Sequence, residues 1–153
     1  MAAHDIPFDP LLILQRGTHA EAVPLLITDI LKISTRPDAV FAVNDMCAVL
    51  CMKALMKEGI TIPADIAFAG INNDIVSTII EPNLTTIHCS GTEIGEIVAN
   101  AMIDRLNSIE NTSLNYTSLL KGKLIIRNSS KKRKDEKKGH FRPLKYLFRS
   151  IAK

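Results

Sequence analysis

A chain of 153 residues, 46% of them hydrophobic, carries enough apolar material for one buried core; with 5% aromatics and no Trp it is poorly supplied for an aromatic-lined pocket. The net charge of +3 is uneven, because ten Lys or Arg against two acids put +8 on residues 131–153 and leave −5 on residues 1–130. The N-terminus shows no basic-then-apolar leader and no apolar run is long enough to span a bilayer, so a cytoplasmic protein without a membrane partner is expected.

In chain order, Leu11-Leu12-Ile13-Leu14 reads as a short buried strand. Thr18-x-x-Glu21 fits a capping box for a helix whose apolar stripe is Val23, Leu26, Ile27, Ile30 and Leu31. Pro24 fits only a first turn, which pushes the start of that helix later. A strand is expected over 39–43, then a helix over 45–58 with Val49, Met52, Leu55 and Met56 inward, closed by Gly59. Next come a strand over 66–71, a helical turn near 74–80 and a strand from Leu84 to His88. Ser90-x-x-Glu93 is a second capping box, opening a long amphipathic helix to about Ile109 through Ile94, Ile97, Val98, Ala101 and Leu106. Tyr116 to Arg127 holds one or two further strands broken at Gly122.

Alternating strands and helices argue a doubly wound, mostly parallel α/β sheet. Two of its strands run into polar clusters, Asn44-Asp45 and Asn72-Asn73-Asp74. One helix separates them, so they form a βαβ unit and both clusters fall on one sheet edge. That carboxyl edge is where open α/β sheets hold ligands, and a small-molecule binding module is the first reading. Asn offers donors and an acceptor and Asp accepts at two oxygens, a set suited to vicinal sugar hydroxyls or a base edge. Helix capping is the competing role for Asn44 and Asp45.

The same residues carry a resemblance. Arg36-Pro37-Asp38-Ala39-Val40-Phe41-Ala42-Val43-Asn44-Asp45 and Gly59-Ile60-Thr61-Ile62-Pro63-Ala64-Asp65-Ile66-Ala67-Phe68-Ala69-Gly70 resemble two segments of the LacI/GalR family of bacterial transcription regulators. Pro82-Asn83-Leu84-Thr85-Thr86-Ile87 and Leu124-Ile125-Ile126-Arg127-Asn128-Ser129-Ser130 resemble two more, in the same order. The resemblance implies a type I periplasmic-binding-protein-like effector domain, with ligand between two Rossmann-like lobes. Residues 1–130 would be a partial effector-binding domain, comprising most of the C-terminal lobe and a helix near 91–109 that packs in the N-terminal lobe. Residues 131–153 would be a flexible basic tail. The rest of the N-terminal lobe, the first strand and helix of the C-terminal lobe, the DNA-binding head and the family's cleft arginine are expected outside this chain, which reads as a truncated product or partial gene.

The resemblance also implies site residues. It places Asn44 among ligand contacts and Asp45 at the start of the cleft-facing helix. Asn72 stands where the family usually has an Asp, and Cys89 where many members have a Gln. Thr18 or His19 stands near a position often filled by a stacking aromatic, His19 being alternatively an exposed first-turn residue. Val49 and Ile80 occupy positions that face a dimer partner, the alternative being burial within the lobe. A small-molecule effector, a sugar first, and a homodimer are the expected partners; DNA is met only through the head. A periplasmic-type sugar receptor and a non-functional remnant are the rival readings.

Other chemistry is poorly supported. No nucleophile elbow, H-E-x-x-H or Walker loop occurs, so no catalysis, cofactor or metal is expected. Cys47 and Cys51 lie four apart with Cys89 remote, a pattern that reads as buried thiols rather than zinc ligands. The run Lys131 to Lys138 reads as a solvated segment, or as a nonspecific attractor of nucleic acid or anionic lipid. Phe141, Leu144, Leu147, Phe148 and Ile151 follow it at helical spacing.

Overall fold

A computed structural model describes residues 9–17, 20–33, 37–107 and 117–131. Thr18, and with it the capping end of the Thr18-x-x-Glu21 box, His19, Ile109, Tyr116 and the tail beyond Lys131 lie outside the described residues.

Among the described residues four strands form one sheet, in the order β1-β2-β3-β4. They are β1 (Ala39–Phe41), β2 (Ala67–Ile71), β3 (Thr85–His88) and β4 (Lys123–Ile125). β1, β2 and β3 are parallel, and β4 runs antiparallel to β3 with Ile87 opposite Leu124. The helices are α1 (Val23–Lys32), α2 (Asp45–Lys57), the single turn α3 (Val76–Ile79) and α4 (Gly91–Asn107). The expected mixed, mostly parallel α/β lobe is present.

α2 shows why these residues fold as they do. Asn44 is extended and its side chain accepts from Cys47 N at 2.7 Å, which starts the helix. Asp45 in the first turn and Lys57 in the last complement the helix dipole. Gly59 takes φ +80°, letting Ile60 N reach Leu55 O and Gly59 N reach Met56 O, both at 3.1 Å. This Schellman closure buries Ile60 beside Leu55 in the core. α2 is buried through Ala48, Val49, Cys51, Met52 and Leu55, and packs against α1, β2 and α3. Burial alternates along β2, with Phe68 and Gly70 inward. Phe68, Met52, Leu55, Ile66 and Ile30 form the centre of the core. Each such side chain contributes roughly 2 kcal/mol on leaving water.

Several expectations need correction. Leu11 to Leu14 is not a strand: Pro10–Leu12 forms a 3-10 turn, and Leu11 is 80% exposed. The Asp9 carboxylate caps Leu11 N at 3.0 Å and Pro10 supplies the first-turn φ, so local capping outweighs apolar content. As Pro24 leads one to expect, α1 starts late: it begins at Val23 after a 3-10 turn over Ala20–Ala22, which puts Pro24 in the first turn. Its stripe omits Leu31, which is exposed. The strand expected over 39–43 is Ala39–Phe41, although Ala42 N still donates to Ala69 O at 2.8 Å. Val49 lies in the core of the lobe and Ile80 packs half-buried against it. Within one chain both pack against the lobe's own core. The apolar side chains left exposed beside them are Met46, Ile75 and Ile79. α4 has the expected start, Ser90 Oγ accepting from Glu93 N at 3.2 Å, but none of its residues is buried. Ile94, Val98, Met102 and Leu106 make an exposed row along it.

Candidate functional site

The carboxyl ends of β1, β2 and β3 deliver Asn44-Asp45, Asn72-Asn73-Asp74 and Cys89 to one edge of the sheet. The gathering follows from the register: the strands are parallel, Asn72 and Cys89 directly follow β2 and β3, and Asn44 comes three residues after the end of β1.

The edge is bonded together by Asp45. Its side chain is fully buried. Oδ2 accepts from Asp74 N at 2.8 Å and Oδ1 accepts from the Thr86 hydroxyl at 2.6 Å. Asp45 thus ties the start of α2 to the β2 loop and to β3. Burial pushes its pKa above the usual carboxylate value; the Thr86 and Asp74 hydrogen bonds pull the other way without cancelling it. Gly70 permits this, because a Cβ there would collide with Asp45 Oδ1.

Asn44 is half-buried and uses Oδ1 for the helix cap. Its Nδ2 has no hydrogen-bond partner among the described residues, so the capping and ligand roles are compatible. Asn72 is exposed, with φ 114°, and donates its backbone N–H to Ile87 O at 2.8 Å. Asn73 follows at φ 57° and donates N–H to Thr86 Oγ1 at 3.2 Å. Two consecutive left-handed residues are uncommon, and Asn tolerates them better than most. Cys89 is half-buried just past the end of β3. Gly122 passes over that end, and a Cβ on it would meet Ile87 Cγ2 at 2.5 Å.

Residues that sequence reasoning did not single out hold this edge in place. Arg127 donates from one guanidinium nitrogen to Ser77 Oγ and Leu84 O, at 3.0 and 2.8 Å, and from the other to Asn73 Oδ1 at 2.7 Å. Its backbone N–H donates to Thr85 Oγ1 at 2.8 Å. The Ser129 hydroxyl donates to Phe68 O at 2.7 Å and accepts from Thr85 N at 2.8 Å. The Asn83 amide donates to Thr78 O and Ile80 O, both at 2.9 Å. The signal was there: Thr85, Thr86, Arg127 and Ser129 all fall within quoted motifs, but a motif does not say which side chains meet.

Other chemistry finds little. Cys47 and Cys51 are buried on α2, and Cys51 is raised mainly through its thiol hydrogen bond with Cys47. Among the described residues no cluster of His, Cys, Asp and Glu has the makings of a metal site. Nor is any helix among them long and apolar enough to cross a membrane.

The family profile described as periplasmic binding protein-like domain matches residues 1–130. This chain belongs to that family. Its relatives within the family are LacI-type regulators. It is 36% identical over 78 residues to the lactose operon repressor of Rhizobium radiobacter, covering 51% of this chain and 69% of the relative. It is 28% identical over 132 residues to the HTH-type transcriptional repressor PurR of Vibrio parahaemolyticus, 86% of this chain but 39% of that protein. The solved structure of the transcriptional regulator CelR in complex with cellobiose superposes with a TM-score of 0.75 at 22% identity, over 84% of this chain and 39% of that one. At that identity the likeness concerns the periplasmic-binding-protein-like fold alone. This chain thus spans only part of the length of the regulators it matches, 39% of the Vibrio parahaemolyticus PurR and 39% of the CelR chain.

Proposed function

We propose that this chain is the effector-binding and self-association part of a LacI-type transcription regulator, and that its effector is a small polyhydroxyl molecule, a sugar first. The observation that carries the reading is the convergence of Asn44, Asn72 and Cys89 on one sheet edge, with Asp45 buried behind them as the brace. The Asn44 Nδ2, which has no partner among the described residues, and the amide of the exposed Asn72 offer neutral donors and acceptors, the chemistry that hydroxyl groups need. Asn72 lacks the charge that an Asp there would lend, so its contacts are weaker than charge-assisted ones. Relatives named for the lactose and ribose operons support a sugar as the first class to test. In the whole regulator, ligand at this edge would bias the relative placement of the lobes and, through it, operator affinity.

The edge forms one wall, and a site normally encloses most of its ligand. Titration of the chain with lactose, ribose and hypoxanthine should therefore give weak sugar binding, with Kd above about 10 μM, or roughly −7 kcal/mol. Asn44→Ala and Asn72→Ala should each weaken it further. Sugar affinity unchanged in both variants would overturn the assignment.

For self-association we assign the face of Met46, Ile75 and Ile79. Their exposed side chains lie on the two segments that the Asp45–Asp74 hydrogen bond joins. Apolar side chains of this kind suit the centre of a homodimer interface. Sedimentation should find a dimer for the wild type and a monomer for Ile79→Glu with its fold intact. Val49→Glu should instead lose thermal stability, because it buries a charge in the core. A monomeric wild type, or a dimer unaffected by Ile79→Glu, would refute this face. The exposed row on α4 is a second apolar surface; in a whole regulator we assign its cover to the neighbouring lobe.

A further inference from the structure

We propose that Arg127 is a positioning residue for the ligand edge: its guanidinium holds the Asn72–Asn73 turn in its left-handed shape and so fixes where Asn72 presents its amide. The inference rests on the ligand reading above for its functional consequence, but its structural half stands apart from it.

The turn has an unfavourable backbone and several anchors. Asn72 and Asn73 sit at φ 114° and 57°, where side-chain-bearing residues seldom settle unless their surroundings hold them. Backbone anchors are Asn72 N to Ile87 O at 2.8 Å, Asn73 N to Thr86 Oγ1 at 3.2 Å and Asp74 N to Asp45 Oδ2 at 2.8 Å. These fix the N–H groups of the turn. Arg127 fixes its side-chain end, through Asn73 Oδ1 at 2.7 Å. The other guanidinium nitrogen grips Ser77 Oγ and Leu84 O. The planar fork therefore spans the turn, the start of α3 and the entry to β3 at once. A lysine ammonium is a single point on a flexible stem and cannot span three sites in fixed geometry. Arg127 itself is held, since its backbone N–H donates to Thr85 Oγ1. Asn72, one residue before the gripped Asn73, is exposed at the edge. Rotation of the turn about its two left-handed residues would change where the Asn72 amide is presented.

The test uses the full chain as wild type, Arg127→Lys, Asn73→Ala and Asn73→Asp. Asn73→Asp keeps an acceptor for the guanidinium and a residue type that tolerates the left-handed region, so it serves as the conservative rescue. Two readouts are taken by NMR. The first is the backbone coupling of residues 72 and 73 together with amide exchange at Asn72. The second is the affinity for lactose and ribose, read from shift titration. Expected results for Arg127→Lys and Asn73→Ala are altered couplings, at least tenfold faster exchange at Asn72 and at least fivefold weaker sugar affinity. Asn73→Asp should stay within twofold of wild type on both readouts. Couplings and exchange unchanged in Arg127→Lys and Asn73→Ala would overturn the proposal, as would Asn73→Asp behaving like Asn73→Ala. Should Arg127→Lys fail to fold, Asn73→Ala and Asn73→Asp decide alone. Failure of the wild type to bind either sugar would sink the ligand reading, while the couplings and exchange would still decide whether Arg127 sets the turn.

Discussion

Asp45→Ala should destabilise the chain by about 3 kcal/mol, as measured by urea unfolding at neutral pH. The loss has two sources. Asp74 N and the Thr86 hydroxyl each lose a carboxylate acceptor at a fully buried site, and the start of α2 loses its tie to the β2 loop. Asp45→Asn should behave differently. An amide can still accept from Asp74 N through its oxygen and can donate to Thr86 Oγ1 through its nitrogen, so most of the network survives. The two variants also separate charge from hydrogen bonding. Burial holds the Asp45 pKa above its ordinary value, so the folded state binds that proton more tightly than the unfolded chain does. The stability linked to the proton is complete below the unfolded pKa and is lost as pH rises through the folded one. Asp74 adds to the upward shift and Arg127 opposes it. Asp45→Asn has no such proton to lose. Its stability relative to wild type should therefore rise from about pH 4 towards neutrality. A constant difference over that range would mean that the buried carboxylate carries no net penalty.

Gly70→Ala is expected to cost about 2–3 kcal/mol, a large loss for one added methyl group. The new Cβ would collide with Asp45 Oδ1 and would also press on Leu84 Cδ2 at 3.2 Å and Asp45 Cα at 3.3 Å. A clash with the free end of a flexible side chain is usually relieved by a small rotation. Here Oδ1 is bound by the Thr86 hydroxyl and Oδ2 by Asp74 N, so rotation breaks one bond or the other. The two sites are therefore coupled. In the Gly70→Ala, Asp45→Ala double variant the clashing atom and its bonds have already gone, and the combined cost should fall short of the sum. Additive costs in that cycle would show that the methyl group is accommodated without moving Asp45.

The lobe was legible where local signals and tertiary packing agree. α2 combined a capping residue, an apolar face and a closing glycine, and it folds over Asp45–Lys57 with each of these in use. The same alternation of strand and helix put the polar clusters on a common edge. Leu11 to Leu14 misled because apolar content alone does not make a strand; Asp9 and Pro10 turn the chain before any partner strand meets it. Val49 was legible from periodicity, which placed it on the inward face of α2 where the core covers it. Periodicity does not say whether a second subunit also meets that helix. Asn44 seemed to require a choice between cap and contact, whereas the amide has two ends and only one is used by the cap. The motifs held the residues of the Arg127 network but not its contacts, which join residues up to 54 positions apart. Spacing along the chain carries no sign of that contact until the sheet brings β2, β3 and the C-terminal motif together.

If the carboxyl edge of this sheet is the ligand edge, a residue-resolved shift map recorded during the lactose and ribose titrations will show it. Saturable shifts clustered at Asn44, Asn72, Asn73 and Cys89 are expected, and Asn72→Ala should diminish them. Saturable shifts centred elsewhere, on α1 or along β4, with the Asn44 and Asn72 amides unmoved, would contradict it.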